Sequence, residues 1–210
     1  MVQSRWWLSV WMLIVLPGCA GKGETVMLYP GALPLSRADI ALSQEKLTVV
    51  IVPFEDHRLA KGSIGRRTHA RGGYTRYTVW NDRPGQVVAE FMADYLKQKG
   101  WQVTVAQTAE TARHQSAAEA VISGQVEEFS VQAVSKSLLT DISTRMQVAL
   151  QARNQKDGSL ARMTLHGSRA KTVVVFNDRD VQDAIDIMLK ESMDRLMEDA
   201  KVEQGLLQVR

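Results

Sequence analysis

Residues 139–154, LTDISTRMQVALQARN, alternate between apolar and polar side chains over almost their whole length. Such a period of two is typical of a β-strand, whose successive side chains point to opposite faces of a sheet. The pattern therefore predicts a strand in a sheet with one buried face and one wet face. The buried face takes Ile142, Thr144, Met146, Val148 and Leu150, and the wet face takes Ser143, Arg145, Gln147 and Gln151.

Four more segments on either side of this stretch also read as strands. Residues 119–132 precede it and residues 160–174 follow it, with a hairpin turn at residues 156–159, where Asp-Gly tolerates the positive φ angles of a tight turn. Further upstream, residues 47–54 form a β-branched apolar run that ends near a proline, and residues 101–106 alternate. The sequence thus predicts a sheet of about five strands.

Two segments carry apolar residues at helical spacing, residues 84–99 and 178–201. Pro84 and Gly100 are the expected boundaries of the first helix, and Asp82 is a candidate cap. Because this helix lies between two predicted strands, those strands should be parallel. The predicted fold is α+β: a two-layer sandwich in the order β-α-β-β-β-β-α, with a mixed sheet and both amphipathic helices on one face.

The N-terminus indicates export. Arg5 is followed by an apolar run at residues 6–16, which is too short to span a bilayer and is typical of a secretory signal peptide. The next residues, Leu16-Pro17-Gly18-Cys19, resemble the lipobox of bacterial lipoproteins. That resemblance implies that Leu16 and Gly18 are recognised by the signal peptidase, and that Cys19 becomes the lipidated first residue. An uncleaved anchor or an ordinary buried cysteine is the alternative.

These features divide the chain into four parts. Residues 1–18 are the predicted signal peptide, and residues 19–45, which are rich in glycine and proline, are the lipidated N-terminus and a flexible tether. Residues 46–204 form a single periplasmic domain, and residues 205–210 are a C-terminal tail. By analogy with lipoprotein sorting, Ala20 after the cysteine favours the outer membrane.

Composition narrows the classes of partner and cofactor. The chain has 26 basic and 23 acidic residues, a balance that argues against a nucleic-acid partner. Once Cys19, the only cysteine, carries lipid, no thiol remains for a disulfide, a metal site or a nucleophile. We therefore expect no cofactor beyond the covalent diacylglycerol and N-acyl chain on Cys19, which would hold the protein on the membrane.

The order of elements behind the lipobox, with Pro53-Phe-Glu-Asp-His-Arg58 and Ile64-Gly-Arg-Arg67, resembles the YajG-like family of bacterial lipoproteins. The layout is more distantly similar to the curli secretion component and to penicillin-binding-protein activators. Members of this kind are mostly without a known activity. The resemblance therefore implies a non-enzymatic assembly, scaffold or accessory role with an envelope protein partner. A homo-oligomer and an auxiliary role in lipid transport are the alternatives.

The segment from residue 55 to residue 83 is unusually long for a connection, and it holds seven basic residues against three acidic ones. Arginine and aromatic side chains suit anionic lipid, glycan or an acidic protein surface. A solvated loop, or a hairpin whose aromatic residues pack on the core, is the competing interpretation. The candidate binding residues are Arg58, Arg66, Arg67, Arg71, Tyr74, Arg76, Tyr77 and Trp80.

No pattern in the sequence predicts catalysis or a metal site. Asp56 and His57 are adjacent and would suit an acid–base pair, but the sequence places no nucleophile beside them. His69, His114 and His166 lack metal-ligand spacing. A cluster of acids near residue 180 lacks the calcium-loop pattern and suits capping of a helix start. These acids are Asp178, Asp180, Asp183 and Asp186.

Overall fold

The computed structural model describes residues 22–35, 46–113 and 118–209. The predicted signal peptide and lipobox, with Leu16, Gly18 and Cys19, lie outside the described residues. The described chain forms a mixed nine-stranded sheet, two long helices and a separate two-stranded sheet. The α+β class and the mixed sheet are confirmed, whereas the predicted count of about five strands is wrong.

The first strand of the structure lies before residue 46, the predicted start of the domain. The large sheet contains β1 (Lys22–Leu28), β2 (Thr48–Ile51), β3 (Glu55–Asp56), β4 (Gly65–Thr68), β5 (Tyr74–Val79), β6 (Gln102–Val105), β7 (Ala120–Ser135), β8 (Thr140–Asn154) and β9 (Leu160–Val173). The helices are α1 (Pro84–Gln98), the short α2 (Ala109–Arg113) and α3 (Asp178–Asp199), with a 3-10 helix at Trp80–Asp82. The small sheet contains β10 (Ala200–Glu203) and β11 (Leu206–Val209).

Strand β7 organises the large sheet. It pairs antiparallel with β8 along one edge, and along its other edge it pairs in turn with β2, β3 and β4, all parallel. Strand β6 extends the sheet beyond β2, and β5 and then β1 extend it beyond β4. Among the described strands, β9 pairs with β8 alone. The predicted parallel pairing of β2 with β6 is confirmed.

Both long helices pack on one face of the sheet and contact each other. The alternation predicted for β8 is confirmed, since its apolar residues are buried and Ser143 and Arg145 are exposed. Gly167 on β9 allows α3 to approach, because a Cβ atom there would lie 2.5 Å from Ser192 Oγ. One face of the sheet therefore forms the main core. The other face has a small apolar cluster near β2, where Val50 and Ala112 of α2 are buried, and is polar and open over β8 and β9.

The predicted flexible tether is wrong for the described residues 22–35. Strand β1 pairs with β5 in parallel, and the chain that follows is fixed to both helices through backbone amides. Tyr29 N donates to Gln182 Oε1 at 2.8 Å, Gly31 N donates to Asp186 Oδ1 at 3.1 Å and Leu35 N donates to Gln98 Oε1 at 2.9 Å. The predicted C-terminal tail is also wrong, because Leu206–Val209 pairs with β10.

The long segment between β2 and α1 is a hairpin within the sheet. Strands β4 and β5 pair antiparallel and lie between β7 and β1. Gly65 has a φ of +153°, and a Cβ atom there would lie 1.7 Å from the carbonyl oxygen of Val131, so glycine is needed for β4 to meet β7. The competing interpretation of a hairpin with packed aromatic residues is closer to the structure, and the solvated loop is wrong.

The caps of the two long helices differ from each other. The N-cap of α1 is Arg83, without a side-chain cap, so the prediction of Asp82 is wrong. At α3, Asn177 Oδ1 accepts from Arg179 N at 3.0 Å, and Asp180 Oδ2 accepts from Asn177 N at 2.9 Å. This reciprocal capping box confirms the prediction of helix capping for one of the four acids. In the described part of the chain, neither of these helices nor any other is long and apolar enough to cross a membrane.

Candidate functional site

Arg58, the first of the candidate binding residues, is a structural residue. Its guanidinium group binds Asp56 through two hydrogen bonds, Nε to Oδ1 at 2.9 Å and Nη2 to Oδ2 at 3.0 Å, and Nη1 donates to the carbonyl oxygen of Ser63. Burial tends to raise the pKa of Asp56, but the hydrogen bonds and charge of Arg58 outweigh it and lower that pKa. The Arg58 side chain is buried, and all three of its guanidinium nitrogens donate hydrogen bonds within the protein. Arg58 therefore stabilises the fold around β3 and is not available to bind a ligand.

Tyr77 also belongs to the interior. Its side chain is completely buried in the core, and its hydroxyl group donates to Asp178 Oδ1 at 3.0 Å. Burial and the neighbouring carboxylate raise the pKa of Tyr77 far above its usual range. This contact ties β5 to the first residue of α3, so Tyr77 positions the helix and its assignment to a binding surface is wrong.

The consecutive arginines of β4 lie on opposite faces of the sheet. Arg66 is exposed on the open face, where Arg76 of β5 is its cross-strand neighbour and is also exposed. Arg67 lies on the helix side, 3.7 Å above the ring centre of Phe176, and its Nε donates to Ser135 Oγ at 2.8 Å. Among the described residues, neither Arg66 nor Arg76 forms an ion pair, so the open face carries two free positive charges next to the exposed Tyr74.

Trp80 lies apart from the other candidates. Its side chain is 44% exposed in the 3-10 helix, and it lines a cavity of about 380 Å³ with Tyr29, Pro30 and residues of α1. Arg71 lies elsewhere, exposed in the turn between β4 and β5. The structure therefore does not bring the eight candidates into one site. It divides them among the interior, the open face, a turn and the end of β5.

The other polar candidates serve separate structural contacts. Asp56 pairs with Arg58, while the ring of His57 lies 3.0 Å from Glu55 on the surface, so the two do not form an acid–base pair. Asp186 is buried and accepts from Gly31 and Gln182, and burial together with nearby Asp183 raises its pKa. In residues 22–35, 46–113 and 118–209, no three potential metal ligands gather.

The structure does assemble a different surface, at the end of the sheet where three connections meet. They are the β4–β5 turn (residues 69–73), the β7–β8 turn (residues 136–139) and the link from β9 to α3 (residues 174–176). We call these three connections the turn end. Residues from all three line an open cavity of about 740 Å³, together with Arg67, Ser135 and Thr140.

The turn end exposes large aliphatic side chains beside basic ones. Leu138 is 79% exposed, Leu139 42%, Val174 74% and Val175 85%. The three connections contain Arg71 and Lys136 but no aspartate or glutamate. A contiguous apolar patch with a polar rim marks a surface that binds a protein, a ligand or a membrane.

Two sequence signals could have revealed this surface. One is the pair Leu138-Leu139 directly after the polar residues Ser135-Lys136-Ser137, and the other is the apolar run at residues 173–176 just before the helix cap Asn177. Only Leu139 of the first stretch and residues 173–174 of the second fall within the predicted strands. The register of the sheet was needed to show that they extend past its edge.

The fold is similar to that of a solved bacterial protein. A crystal structure of a Xanthomonas campestris protein assigned to the DUF330 family matches with a TM-score of 0.53 at 11% identity, over 82% of this chain and 92% of that one. At this identity the match shows a shared fold and no more. No protein-family model matches the chain, and no curated protein matches its sequence.

Two further solved structures are more distantly similar. The PelC dodecamer from Paraburkholderia phytofirmans matches with a TM-score of 0.39 at 17% identity, over 70% of this chain and 87% of that one. Lipoprotein GNA1162 from Neisseria meningitidis matches with a TM-score of 0.39 at 12% identity, over 72% of this chain and 99% of that one.

Proposed function

We propose that this protein is a lipid-anchored lipoprotein of the outer membrane whose periplasmic domain is a non-enzymatic accessory factor for another envelope protein. The lipobox resemblance at Leu16–Cys19 supports the anchor. The observation that carries the binding role is the open sheet, whose face opposite the long helices is polar over β8 and β9, and which ends in a long edge strand, β9. An extended segment of a partner can add to such an edge through main-chain hydrogen bonds.

The β4–β5 part of the open face favours a partner with acidic groups, whereas Glu127 and Glu128 lie further along the same face, beside Gln147 and Ser130. Arg66 and Arg76 lie side by side on it, and Arg145 is exposed on β8. Small polar side chains such as Ser143 and Ser168 surround them, so the surface is broad and shallow. A flat face of this kind suits a protein surface better than an enclosed small molecule, since small-molecule sites are usually concave and mostly apolar.

The anchor is tested by intact-mass analysis and membrane fractionation. The mature protein purified from outer membranes should begin at Cys19 and carry the mass of a diacylglycerol and an N-acyl chain. Cys19→Ala should remove the added mass and leave residues 1–18 uncut, because the lipobox resemblance implies that lipid is attached before cleavage. Wild-type protein that retains residues 1–18, or that carries no lipid on Cys19, contradicts the proposed anchor.

The binding role is tested by photocrosslinking in intact cells. A crosslinking amino acid replaces Arg145 or Ser168 on the open face, or the exposed Asp94 of α1 on the helix side as the control. We expect a specific crosslinked envelope protein from the open face and none from Asp94. Crosslinking from Asp94 alone would place the partner on the helices and reject this assignment. A crosslinked species of twice the protein's own mass would identify a second copy as the partner.

A second function is favoured by the unpaired charges on the open face. Arg66, Arg76 and Tyr74 form a small basic and aromatic patch, which is suited to an anionic glycan or a lipid headgroup. If this function holds, Arg66→Ser with Arg76→Ser should reduce binding to isolated sacculi or anionic vesicles, while the charge-matched control Arg162→Ser with Arg195→Ser should not. An auxiliary role in lipid transport would instead appear as co-purification with a transporter.

A further inference from the structure

The position of strand β1 brings the turn end close to the proposed anchor. Lys22 pairs with Tyr74 at the start of β5, directly after the β4–β5 turn. Two residues, Ala20 and Gly21, lie between Cys19 and Lys22, and the three steps from the Cα atom of Cys19 to that of Lys22 span at most about 11 Å in any conformation. We propose that the turn end rests in the headgroup region of the membrane that holds the Cys19 lipid, with anionic phospholipid as its partner. This inference uses the anchor of the proposed function and adds an orientation to it.

The pairing register of the strands that meet at the turn end supports this placement. Thr68 pairs with both Tyr74 and Val134, so the ends of β4 and β7 and the start of β5 lie together. Thr140 pairs with Ser135 and with Val173, which brings in the start of β8 and the end of β9. The lipid-bearing end of β1 and all three exposed connections therefore lie on one side of the molecule.

The apolar residues of the turn end extend outward and are not packed in the core. Leu138, Val174 and Val175 are each more than 70% exposed, in connections where polar residues are normally preferred. In water, the exposure of these side chains does not stabilise the folded protein. In a bilayer they would reach the boundary between headgroups and acyl chains, where aliphatic side chains are stabilised.

The charges of the turn end suit a negatively charged membrane. Arg71 and Lys136 are exposed, and the three connections contain no acidic residue that would be repelled by phosphate. Lys136 contacts Asp141 at 2.6 Å on the surface, so Arg71 is the cation that is fully available to lipid. Tyr74, which is partly exposed beside Lys22, is of the aromatic type that is enriched at membrane interfaces.

The turn end is also held in one arrangement before it meets a membrane. Arg67 of β4 stacks on Phe176 in the β9–α3 link and donates to Ser135 at the end of β7. Ser135 in turn lies 2.9 Å from Thr140 Oγ1, and Lys136 N donates to Leu139 O at 2.7 Å, which closes the β7–β8 turn. Because Arg67 links three elements, the exposed tips form one platform that needs no refolding to bind.

The test uses the mature lipoprotein in phosphatidylethanolamine–phosphatidylglycerol vesicles with brominated acyl chains, which quench nearby tryptophan. Leu138→Trp places a probe at the turn end, Val175→Trp is a second such probe, and Lys156→Trp at the opposite end of β8 is the matched control. Emission is compared with wild type, whose native tryptophans supply the background. For Leu138→Trp and Val175→Trp we expect the emission of the added tryptophan to shift to the blue and to be quenched by the brominated lipid. For Lys156→Trp we expect neither the shift nor the quenching.

Each outcome supports or overturns the orientation. Protein that floats with the vesicles while its turn-end probes stay unquenched overturns the docking and leaves the anchor intact. If mass analysis shows no lipid on Cys19, the anchor fails, and coupling the free Cys19 thiol to a maleimide lipid restores the attachment so that the probes report on docking in the same way. Probes that are shielded in cells but unquenched in vesicles assign the turn end to a protein partner and overturn the proposal.

The role of charge has its own measurement. The mature Cys19→Ala chain, produced without residues 1–18, has no lipid. With this chain, partition to phosphatidylglycerol vesicles should fall about fivefold for Arg71→Ser, as expected for the loss of one cation near an anionic surface. Arg162→Ser, an exposed arginine near the start of β9 and far from the turn end, should leave partition unchanged. Equal losses for the two variants would mean that the attraction follows net charge and has no preferred surface.

Discussion

The two turns of strand β8 lie at opposite ends of the sheet and have opposite characters. The turn at its start, residues 136–139, is Lys-Ser-Leu-Leu and exposes both leucines. The turn at its end, residues 155–159, is Gln-Lys-Asp-Gly-Ser, and Asp157 accepts hydrogen bonds from both the backbone and the hydroxyl group of Ser159. One turn is closed by its own polar groups in water, and the other is left apolar, which indicates different surroundings for the two ends.

The end of the sheet opposite the turn end, which we call the far end, is stabilised by the buried polar residue Asn154. The side chain of Asn154 donates to Leu207 O at 3.0 Å and to Ser159 Oγ at 2.9 Å, and its Oδ1 accepts from Leu207 N at 3.0 Å. These bonds attach the β10–β11 hairpin to the end of β8. The far end therefore contributes to folding stability, whereas we assign the tips of the turn end to membrane contact, and substitutions should separate the two roles.

The largest expected effect is at the far end. Asn154→Ala should lower the free energy of unfolding by about 3 kcal/mol, because it leaves two buried backbone groups of Leu207 without partners. Urea unfolding of the mature Cys19→Ala chain, produced without residues 1–18, measures the change. Gln155→Ala, an exposed neighbour, is the control and should stay within about 0.5 kcal/mol of the parent. Equal stabilities for the two variants would show that the small sheet is not fastened through Asn154.

The long hairpin of β8 and β9 and helix α3 were the part of the fold that the sequence predicted best, whereas the β10–β11 hairpin of the far end was not predicted. Regular alternation, a strong Asp-Gly turn and the apolar stripe of α3 are local signals, and each element was found within a few residues of its bounds. By contrast, β1 was missed because its seven residues include glycine and polar side chains, and it is stabilised only by pairing with a distant strand.

The candidate site was less predictable than the fold for the same physical reason. Alternation near Tyr77 was visible in the sequence, but which face of β5 would be buried depended on its pairing with β4 and β1. A one-residue change of register exchanges the two faces of a strand. Arg66 and Arg67 were therefore grouped in one surface, although the sheet separates them, and the turn end was not predicted at all.

A moderate effect is expected where the platform of the turn end is held together. Arg67→Ala should lower the free energy of unfolding by about 1 to 2 kcal/mol, because it removes the stacking on Phe176 and the hydrogen bond to Ser135. Arg66→Ala, one residue away on the open face, should have little effect. Chemical unfolding of both variants checks the difference, and a larger loss from Arg66→Ala would contradict the assignment of the two faces.

A smaller and pH-dependent effect is expected between the two ends, where Asp186 holds the chain that follows β1. Since burial raises its pKa in the folded state, wild type should lose stability as the pH rises from 3.8, the ordinary aspartate pKa, through the raised value. Asp186→Asn keeps an oxygen that can accept from Gly31 and Gln182, and it should remove this loss. Unfolding is measured across the acidic range, with exposed Glu198→Gln as the control. If the free energy of unfolding depends on pH in the same way for Asp186→Asn and wild type, the ionisation of Asp186 does not affect folding stability.

The smallest effect on stability is expected from Leu138, one of the residues that we assign to membrane contact. Leu138→Ser should change the free energy of unfolding by less than about 0.5 kcal/mol, since the side chain is 79% exposed and packs on nothing that folding requires. Partition of the same unlipidated chain to anionic vesicles should nevertheless fall, because the lost aliphatic group is one that the bilayer would bury. Asn154→Ala should behave in the opposite way when measured well below its unfolding temperature, with lower stability and unchanged partition. If Leu138→Ser instead destabilised the fold and left partition unchanged, the apolar turn would be part of the core, and the contrast between the two ends of β8 would have no functional meaning.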